Sequence, residues 1–593
     1  MDAVKERFTS ASRAAFPPGK ACSPAGEART RAGGPGSRAG KACLRAGLAA
    51  ALLGTAALVA VDAHAASCAG LAGLALPNTT ITAAHDVPAG TYTAPDGEVF
   101  THLPAFCRVA ATLAPSPDSK ILIEVWMPSA GWNGRYEGTG NGGYAGTIVY
   151  GPLADGLQRG FAVANTDMGT SPSTVLNGDP LVGHPEKWAD FGWRATHEMT
   201  VRSKEIIRAF YGTGPRYSYF TGCSTGGQQA LSEAQRFPED YDGIVGGAPG
   251  HNRTHLHMDF VWDYQVARKT AASLVPQAKL SVLNSAILAA CSSQDGGLST
   301  DAWLVDPRDC GFDPARLQCP GADAPSCLTA AQVQTVKALY DGPRNPRNGH
   351  LIYPGWPKGS EGLGITAFLE SGESPTDPAF DSLFKWVFGP GWNALSFNFD
   401  SDVARVDQVL GPVLNATNPD LGPFRKRHGK LILFHGFDDG LVAPQDTIDY
   451  YNEVVAAGGG DDEEHEDGDG QALAKTRKYA RLFMVAGMSH CGGGPGANVF
   501  NGDDNLGGPR DPDHDILSAL VRWVEQGTAP QRLIATKYVN DTPAQGVAFT
   551  RPICPYPELP AYKGTGSTTD AASFACVKDE RDFNQVAAPE YRR

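Results

Sequence analysis

Beyond its first 65 residues the chain has no apolar segment approaching the ~20 residues of a membrane-spanning helix, no Lys/Arg cluster, no C-x-x-C pair and no internal repeat. Each absence narrows the reading. The first argues against a membrane span. The second, in a chain of formal net charge −14, argues against nucleic-acid binding. The third weakens zinc-ribbon and thioredoxin-like readings. An H-E-x-x-H zinc motif is missing too, since "HEMTV" at 197–201 places Val201 where the second histidine would be.

Residues 1–65 read as an export leader. They are basic and Gly/Pro/Arg-rich up to Arg45, continue through the uncharged run "AGLAAALLGTAALVAV", and end with small residues at Ala63 and Ala65. The expected location is periplasmic or secreted. Cys68 lacks the upstream leucine-type residue of a lipoprotein signal. Ten cysteines follow the leader: Cys68, Cys107, Cys223, Cys291, Cys310, Cys319, Cys327, Cys491, Cys554 and Cys576. An even number in an exported chain favours disulfides over metal sites.

From Lys120 to Pro249 the signals alternate as an α/β fold requires. "KILIEVWMP", "GFAVANTDMG", "YSYFTG" and "YDGIVGGAPG" read as strands, "ATHEMTVRSKEIIRAFYG" and "QQALSEAQRFP" as helices. From about His251 to Arg425 the pattern changes to a Cys/Pro/Gly/Asp-rich stretch with several tryptophans, read as an inserted domain. The α/β pattern resumes with "GKLILFHG", "APQDTIDYYNEVVAA" and "ARLFMVAGMSHC". The domains expected are therefore 66–250 and 426–593 as two parts of one α/β unit, with 251–425 inserted. "GGGDDEEHEDGDGQ" at 458–471 reads as a solvated loop with His465 on the surface, and the tail after Arg551 as a surface wrap without strong periodicity.

Within "YFTGCSTGGQQA" lies one G-x-S-x-G match, Gly222 to Gly226, in a strand–turn–helix context. With 70 glycines in the chain the match alone is weak, and the context is what raises it. A serine hydroxyl needs a histidine to take its proton and an acid to orient that histidine. Asp438 and Asp439 follow one late strand, and His490 follows the next, in the order Ser, acid, His. Gly436 and Asp439 form the G-x-x-D spacing that favours Asp439, with Asp438 in reserve. His435 precedes the acid, the wrong order for the base, and is expected to bond locally. Cys223 precedes Ser224 just as Cys491 follows His490, so a Cys223–Cys491 bridge would tie the serine turn to the histidine loop and argue against a thiolate mechanism.

These residues, with "GNGGYAG", "GCSTGGQQALSEAQRFPEDYDGIVGGAP", "FDPARLQC", "CLTAAQ" and "HGFDDGLVAPQDTIDYY", resemble the tannase and feruloyl esterase family, which includes mono(2-hydroxyethyl) terephthalate hydrolase. The resemblance implies an α/β-hydrolase fold with a large inserted lid. It implies bridges Cys68–Cys107, Cys223–Cys491, Cys291–Cys310, Cys319–Cys327 and Cys554–Cys576. The oxyanion hole is expected from the backbone N–H of Thr225 and of Gly142 or Gly143 in "GTGNGGYAG". That stretch also spells G-x-G-x-x-G, but no helix opens there and no ribose-binding acid follows, so a dinucleotide site is not expected. The family's lid calcium motif is altered here to "CSSQDGGLSTDAWLVDPRDC", with Ser292 for the first aspartate; Asp295 and Asp301 remain as metal candidates and Asp306 as a local turn or ligand-shell residue. No organic cofactor is implied.

The expected function is a serine carboxylic-ester hydrolase for a small-molecule aromatic ester (feruloyl, galloyl or terephthaloyl), with Ser224, His490 and Asp439 as the triad. Phe384, Trp386, Phe388, Trp392, Phe397 and Phe399 are candidates either for the acyl pocket or for the lid's own core, and Lys385 or Arg405 for an acyl carboxylate. An acyltransferase and a non-catalytic binding protein on the same fold are the alternatives.

Overall fold

A computed structural model describes residues 65–293, 297–362, 381–458, 468–500 and 508–578. The leader apart from Ala65, Asp295 and His465 lie outside the described residues. The frame is a nine-stranded sheet of β1 (Thr79–Val87), β4 (Phe106–Leu113), β5 (Ile121–Pro128), β6 (Arg135–Thr139), β7 (Ala162–Thr166), β8 (Tyr217–Cys223), β9 (Gly243–Gly247), β10 (Lys430–Gly436) and β11 (Ala480–Val485). A separate hairpin pairs β2 (Gly90–Thr93) with β3 (Val99–Leu103). Across the sheet the order is β1-β4-β5-β7-β6-β8-β9-β10-β11. From β7 to β11 all neighbours pair parallel, while β1, β4 and β5 add an antiparallel edge. Every residue of β7, β9 and β11 is buried, as expected of parallel strands covered on both faces. This is why those stretches read as continuous apolar runs rather than as alternation.

The helices begin and end where local chemistry dictates. α1 (Ala195–Tyr211) stops at Gly212, which takes φ +78° and returns its N–H to the Arg208 carbonyl. α2 (Thr225–Arg236) follows β8 directly. After β9 the chain leaves the sheet and returns only at Lys430. The excursion carries α3 (Arg253–Ala267), α4 (Ala330–Asp341), α5 (Ser382–Phe388) and α6 (Val403–Leu414). α4 opens with a reciprocal capping box between Thr329 and Gln332. Cys291–Cys310 and Cys319–Cys327 close two short loops within the excursion. α7 (Pro444–Gly458) and α8 (Gly468–Thr476) then lie between β10 and β11, and α9 (Ile516–Gln526) follows β11.

Two expectations are corrected. Gly468 to Gln471, read as part of a solvated loop, opens α8; its helical apolar residues begin only at Ala472, so the Gly/Asp-rich first turn carried no periodic signal. The tail after Arg551, read as lacking periodic structure, carries paired strands: β14 (Glu558–Tyr562) pairs with β15 (Phe574–Lys578), and leading into it β12 (Leu533–Tyr538) pairs with β13 (Val547–Ile553). These are two-stranded ribbons in which β12 is almost wholly buried while β13 and β14 run through exposed, half-buried and buried residues without alternation, so no in–out pattern marked them. All five expected disulfides are present, with Cα separations from 5.0 to 5.8 Å.

Candidate active site

Ser224 occupies the single residue between β8 and α2, at φ 65° and ψ −118°. A side chain rarely adopts that backbone, and here the surroundings impose it. The Ser224 N–H donates to the Gly247 carbonyl at 3.0 Å, and its own carbonyl accepts from Gly250 (3.0 Å) and Gln228 (3.1 Å). The flanking glycines are steric necessities. A Cβ on Gly222 would lie 2.7 Å from the Gly226 backbone, and one on Gly140 would lie 2.5 Å from the Gly226 Cα. Strand, helix and the loop after β6 thus meet backbone to backbone under the serine.

Asp439 and His490 sit on the loops after β10 and β11. His490 Nδ1 lies 2.7 Å from Asp439 Oδ2, while Oδ1 accepts from the Leu441 and Val442 amides at 2.9 Å each. It is Asp439, not Asp438, that meets the histidine. Gly436, the start of the G-x-x-D spacing, is required because a Cβ there would stand 2.1 Å from the Met488 carbonyl on the histidine loop. Asp439 is fully buried. Burial alone would raise its carboxyl pKa, but the His490 and His435 imidazoles and their hydrogen bonds prevail and hold it well below the usual carboxylate range. The histidine loop is fastened to the serine turn by Cys223–Cys491, with Cα atoms 5.8 Å apart. Cys491 also has a positive φ, 64°, so both ends of the bridge adjoin constrained turns.

His435 bonds locally, as expected, yet its partner matters. Its Nε2 lies 3.0 Å from Asp439 Oδ2 and 2.9 Å from the Val442 carbonyl, and its Nδ1 2.8 Å from Thr447 Oγ1. Two acceptors around Nε2 require that nitrogen to carry the proton. Asp439 therefore receives four donors, two per oxygen.

The expected oxyanion donors come from two segments that touch. Thr225 is the first residue of α2, and its hydroxyl donates to the Gly143 carbonyl at 2.7 Å. Neighbouring amides of the loop are spent: Gly140 on Thr221, Asn141 on Gln229, Tyr144 on Val175 and Ala145 on Gly142. Those of Gly142, Gly143 and Thr225 have no acceptor among the described residues. Gly143 takes φ +53°, and a Cβ there would meet the Val175 carbonyl at 1.9 Å; beside Gly142 the Cβ direction is open. The G-x-G-x-x-G glycines thus serve close packing at the end of β6 and in the loop after it, and the next helix, Tyr150–Gln158, begins only seven residues past Gly143. A buried arginine, Arg253, completes this corner by donating to Thr225 Oγ1 and to the Gly143 carbonyl, 2.9 Å each. Sequence reading missed it.

Other predicted residues fall elsewhere. Asp301 Oδ1 accepts from Arg551 at 3.2 Å, and Asp306 pairs with Arg308 at 2.6 Å. Each of these carboxylates already has a guanidinium as its cation, a poor fit to calcium. Phe384 stacks on Trp392 and meets Phe397, Phe397 meets Phe399, and Trp386 stacks on Trp188. Phe384, Trp392, Phe397 and Phe399 thus pack on one another within the insertion, whereas Trp386 packs outside it, on Trp188, Tyr144 and Phe191. Lys385 is held between Asp179 and Asp381, 3.1 Å from each, and Arg405 lies over Phe388. His197 bonds Asp240 at 2.6 Å.

The model of the family "Tannase and feruloyl esterase" matches residues 107–577. An uncharacterized esterase of Xanthomonas campestris pv. campestris is 42% identical over 553 residues, covering 90% of this chain and 95% of that one. A probable feruloyl esterase B-2 of Aspergillus terreus is 34% identical over 535 residues, covering 88% and 97%. The crystal structure of feruloyl esterase B from Aspergillus oryzae superposes with a TM-score of 0.77 at 29% identity, covering 86% and 99%. The fold is that of the α/β-hydrolases with a large insertion, and the chain belongs to the tannase and feruloyl esterase family of ester hydrolases.

Proposed function

We propose that the protein is an exported serine esterase that releases aromatic acids of the hydroxycinnamoyl, galloyl or terephthaloyl class from their esters through an acyl-enzyme. The observation that carries this reading is the His490–Asp439 pair, 2.7 Å apart and tied by Cys223–Cys491 to the constrained turn of Ser224. Ser224 Oγ attacks the ester carbonyl while His490 Nε2 takes its proton, and the imidazolium is stabilised by the ionised Asp439. The tetrahedral oxyanion is received by the N–H groups of Thr225 and of Gly142 or Gly143, which have no other acceptor among the described residues. Collapse expels the alcohol, which takes the proton back from His490. Water then attacks the acyl-enzyme by the same proton route and frees the acid. Aromatic acyl preference is supported by the feruloyl esterase relatives, and export by the five disulfides.

A kcat/KM panel over methyl ferulate, methyl caffeate, methyl gallate and mono(2-hydroxyethyl) terephthalate tests the substrate class, with Ser224→Ala as control. At least one aromatic ester should exceed an aliphatic ester such as ethyl butyrate by tenfold or more. Equal rates on all, or undiminished hydrolysis by Ser224→Ala, would overturn the reading.

A further inference from the structure

Arg253, the first residue of α3, is 3% exposed and has no carboxylate partner among the described residues. Its guanidinium instead meets neutral groups. Nη2 donates to the Gly143 carbonyl at 2.9 Å, and Nη1 donates to Thr225 Oγ1 at 2.9 Å and more weakly to Gln228 Oε1 at 3.4 Å. Nε has no hydrogen-bond partner among the described residues. The rings of Phe191 and Tyr144 close around it, 5.1 and 5.8 Å from the guanidinium carbon. Burial pushes its pKa down to about 10, so it remains a cation at neutral pH.

Burying a charge without a counter-charge is costly, and most buried arginines in folded proteins are paired. Here the neutral acceptors are those that join the two oxyanion segments. Thr225 Oγ1 donates to the same Gly143 carbonyl that Arg253 holds, so residues 143, 225 and 253 close a three-membered hydrogen-bonded ring. A carboxylate beside the guanidinium would silence its field. Without one, the counter-charge can arise in the transition state, when the neutral ester carbonyl becomes an oxyanion.

We propose that Arg253 is the positioning residue of the oxyanion hole: it holds the Thr225 and Gly142–Gly143 amides in register and leaves its positive charge unanswered until the tetrahedral intermediate forms. The proposal rests on the serine-esterase reading above and adds a residue to it. Arg253 acts through Thr225 and Gly143 and need not touch the substrate.

The test compares wild type with Arg253→Gln and Arg253→Lys on the preferred ester, with rates normalised to the Ser224 labelled by a fluorophosphonate. Arg253→Gln should lower kcat by about 10- to 100-fold while KM moves less than threefold, somewhat below the loss of a direct oxyanion donor. Phenylboronic acid adds the second readout. Its boron accepts the Ser224 oxygen as His490 takes the proton, giving a tetrahedral anion, so its Ki should rise in step with the fall in kcat. Arg253→Lys keeps the charge but loses the fork, and should fall between. Wild-type kcat in Arg253→Gln, or a loss confined to KM or to the labelled fraction with Ki unchanged, would overturn the proposal. If Arg253→Gln does not fold, the same criteria apply to Arg253→Lys. A dead Ser224→Ala beside an undiminished Arg253→Gln refutes only this inference, whereas an active Ser224→Ala refutes the esterase reading itself.

Discussion

At the scale of single residues, the carboxylate of Asp439 is shared between two imidazoles with different duties. In the proposed mechanism His490 must be free to move a proton, whereas His435 is completely buried and bonded at both nitrogens. Its contribution is to keep Oδ2 turned toward His490. Losing one buried hydrogen bond to a charged group is worth roughly 1.5–3 kcal/mol. His435→Phe should therefore lower kcat by at least about tenfold and also lower the thermal midpoint. His435→Gln, which can still donate to Oδ2, should recover a measurable part of kcat. Equal kcat in both variants would show that the ring only fills space.

Among the elements, the decisive contact is between the loop after β6 and the start of α2. Gly140→Ala would drive a methyl into the Gly226 backbone, which cannot step aside as a flexible side chain could. Overpacking of this kind costs about 1–3 kcal/mol. The expected outcome is a lower urea midpoint together with a fall in kcat larger than that of Gly142→Ala, whose Cβ direction is open.

Much of this level was readable beforehand, because Ser224, Asp439 and His490 each follow a buried strand and are marked by nearby glycines. Arg253 was not readable. In "NRTHLHMDF" nothing local separates it from a surface arginine, and its partners stand 110 and 28 residues away in sequence. The aromatics around Trp392 stayed open between pocket and core, because apolar content reveals burial but not whether a ring faces substrate or another ring. The terminal ribbons were missed because their short strands show no alternation of buried and exposed residues, β12 being almost wholly buried and β13 and β14 mixed.

For the whole molecule, two covalent and ionic features set the conditions of use. Cys223–Cys491 spans 268 residues and ties the Ser224 turn to the His490 loop. With four other bridges intact, the Cys223→Ser/Cys491→Ser variant should stay folded by circular dichroism yet lose most of its kcat, and full kcat in a folded variant would deny the bridge a positioning role. The second feature is Glu233 at the end of α2, fully buried and set against Asp240, with His197, Lys204 and Glu239 nearby. Burial first, and the neighbouring Asp240 charge second, push its carboxyl pKa well above the usual range. A raised carboxyl favours the folded state below the unfolded value near 4.3 and loses that advantage as pH rises through the folded value. Glu233→Gln has no proton to lose, so between about pH 5 and 9 its urea midpoint should decline less than that of wild type; parallel profiles would count against this assignment.

The contact of Gly140 with Gly226 has a consequence for how such an enzyme can diversify. A Cβ on Gly140 would stand 2.5 Å from the Gly226 Cα and one on Gly226 3.1 Å from the Gly140 Cα, so the Ser224 turn approaches the loop after β6 more closely than any side chain allows. That approach is gauged by backbone atoms common to every peptide. In the function proposed above, adaptation to a new acyl group would be left to surfaces that do not share this gauge, above all the long excursion between β9 and β10.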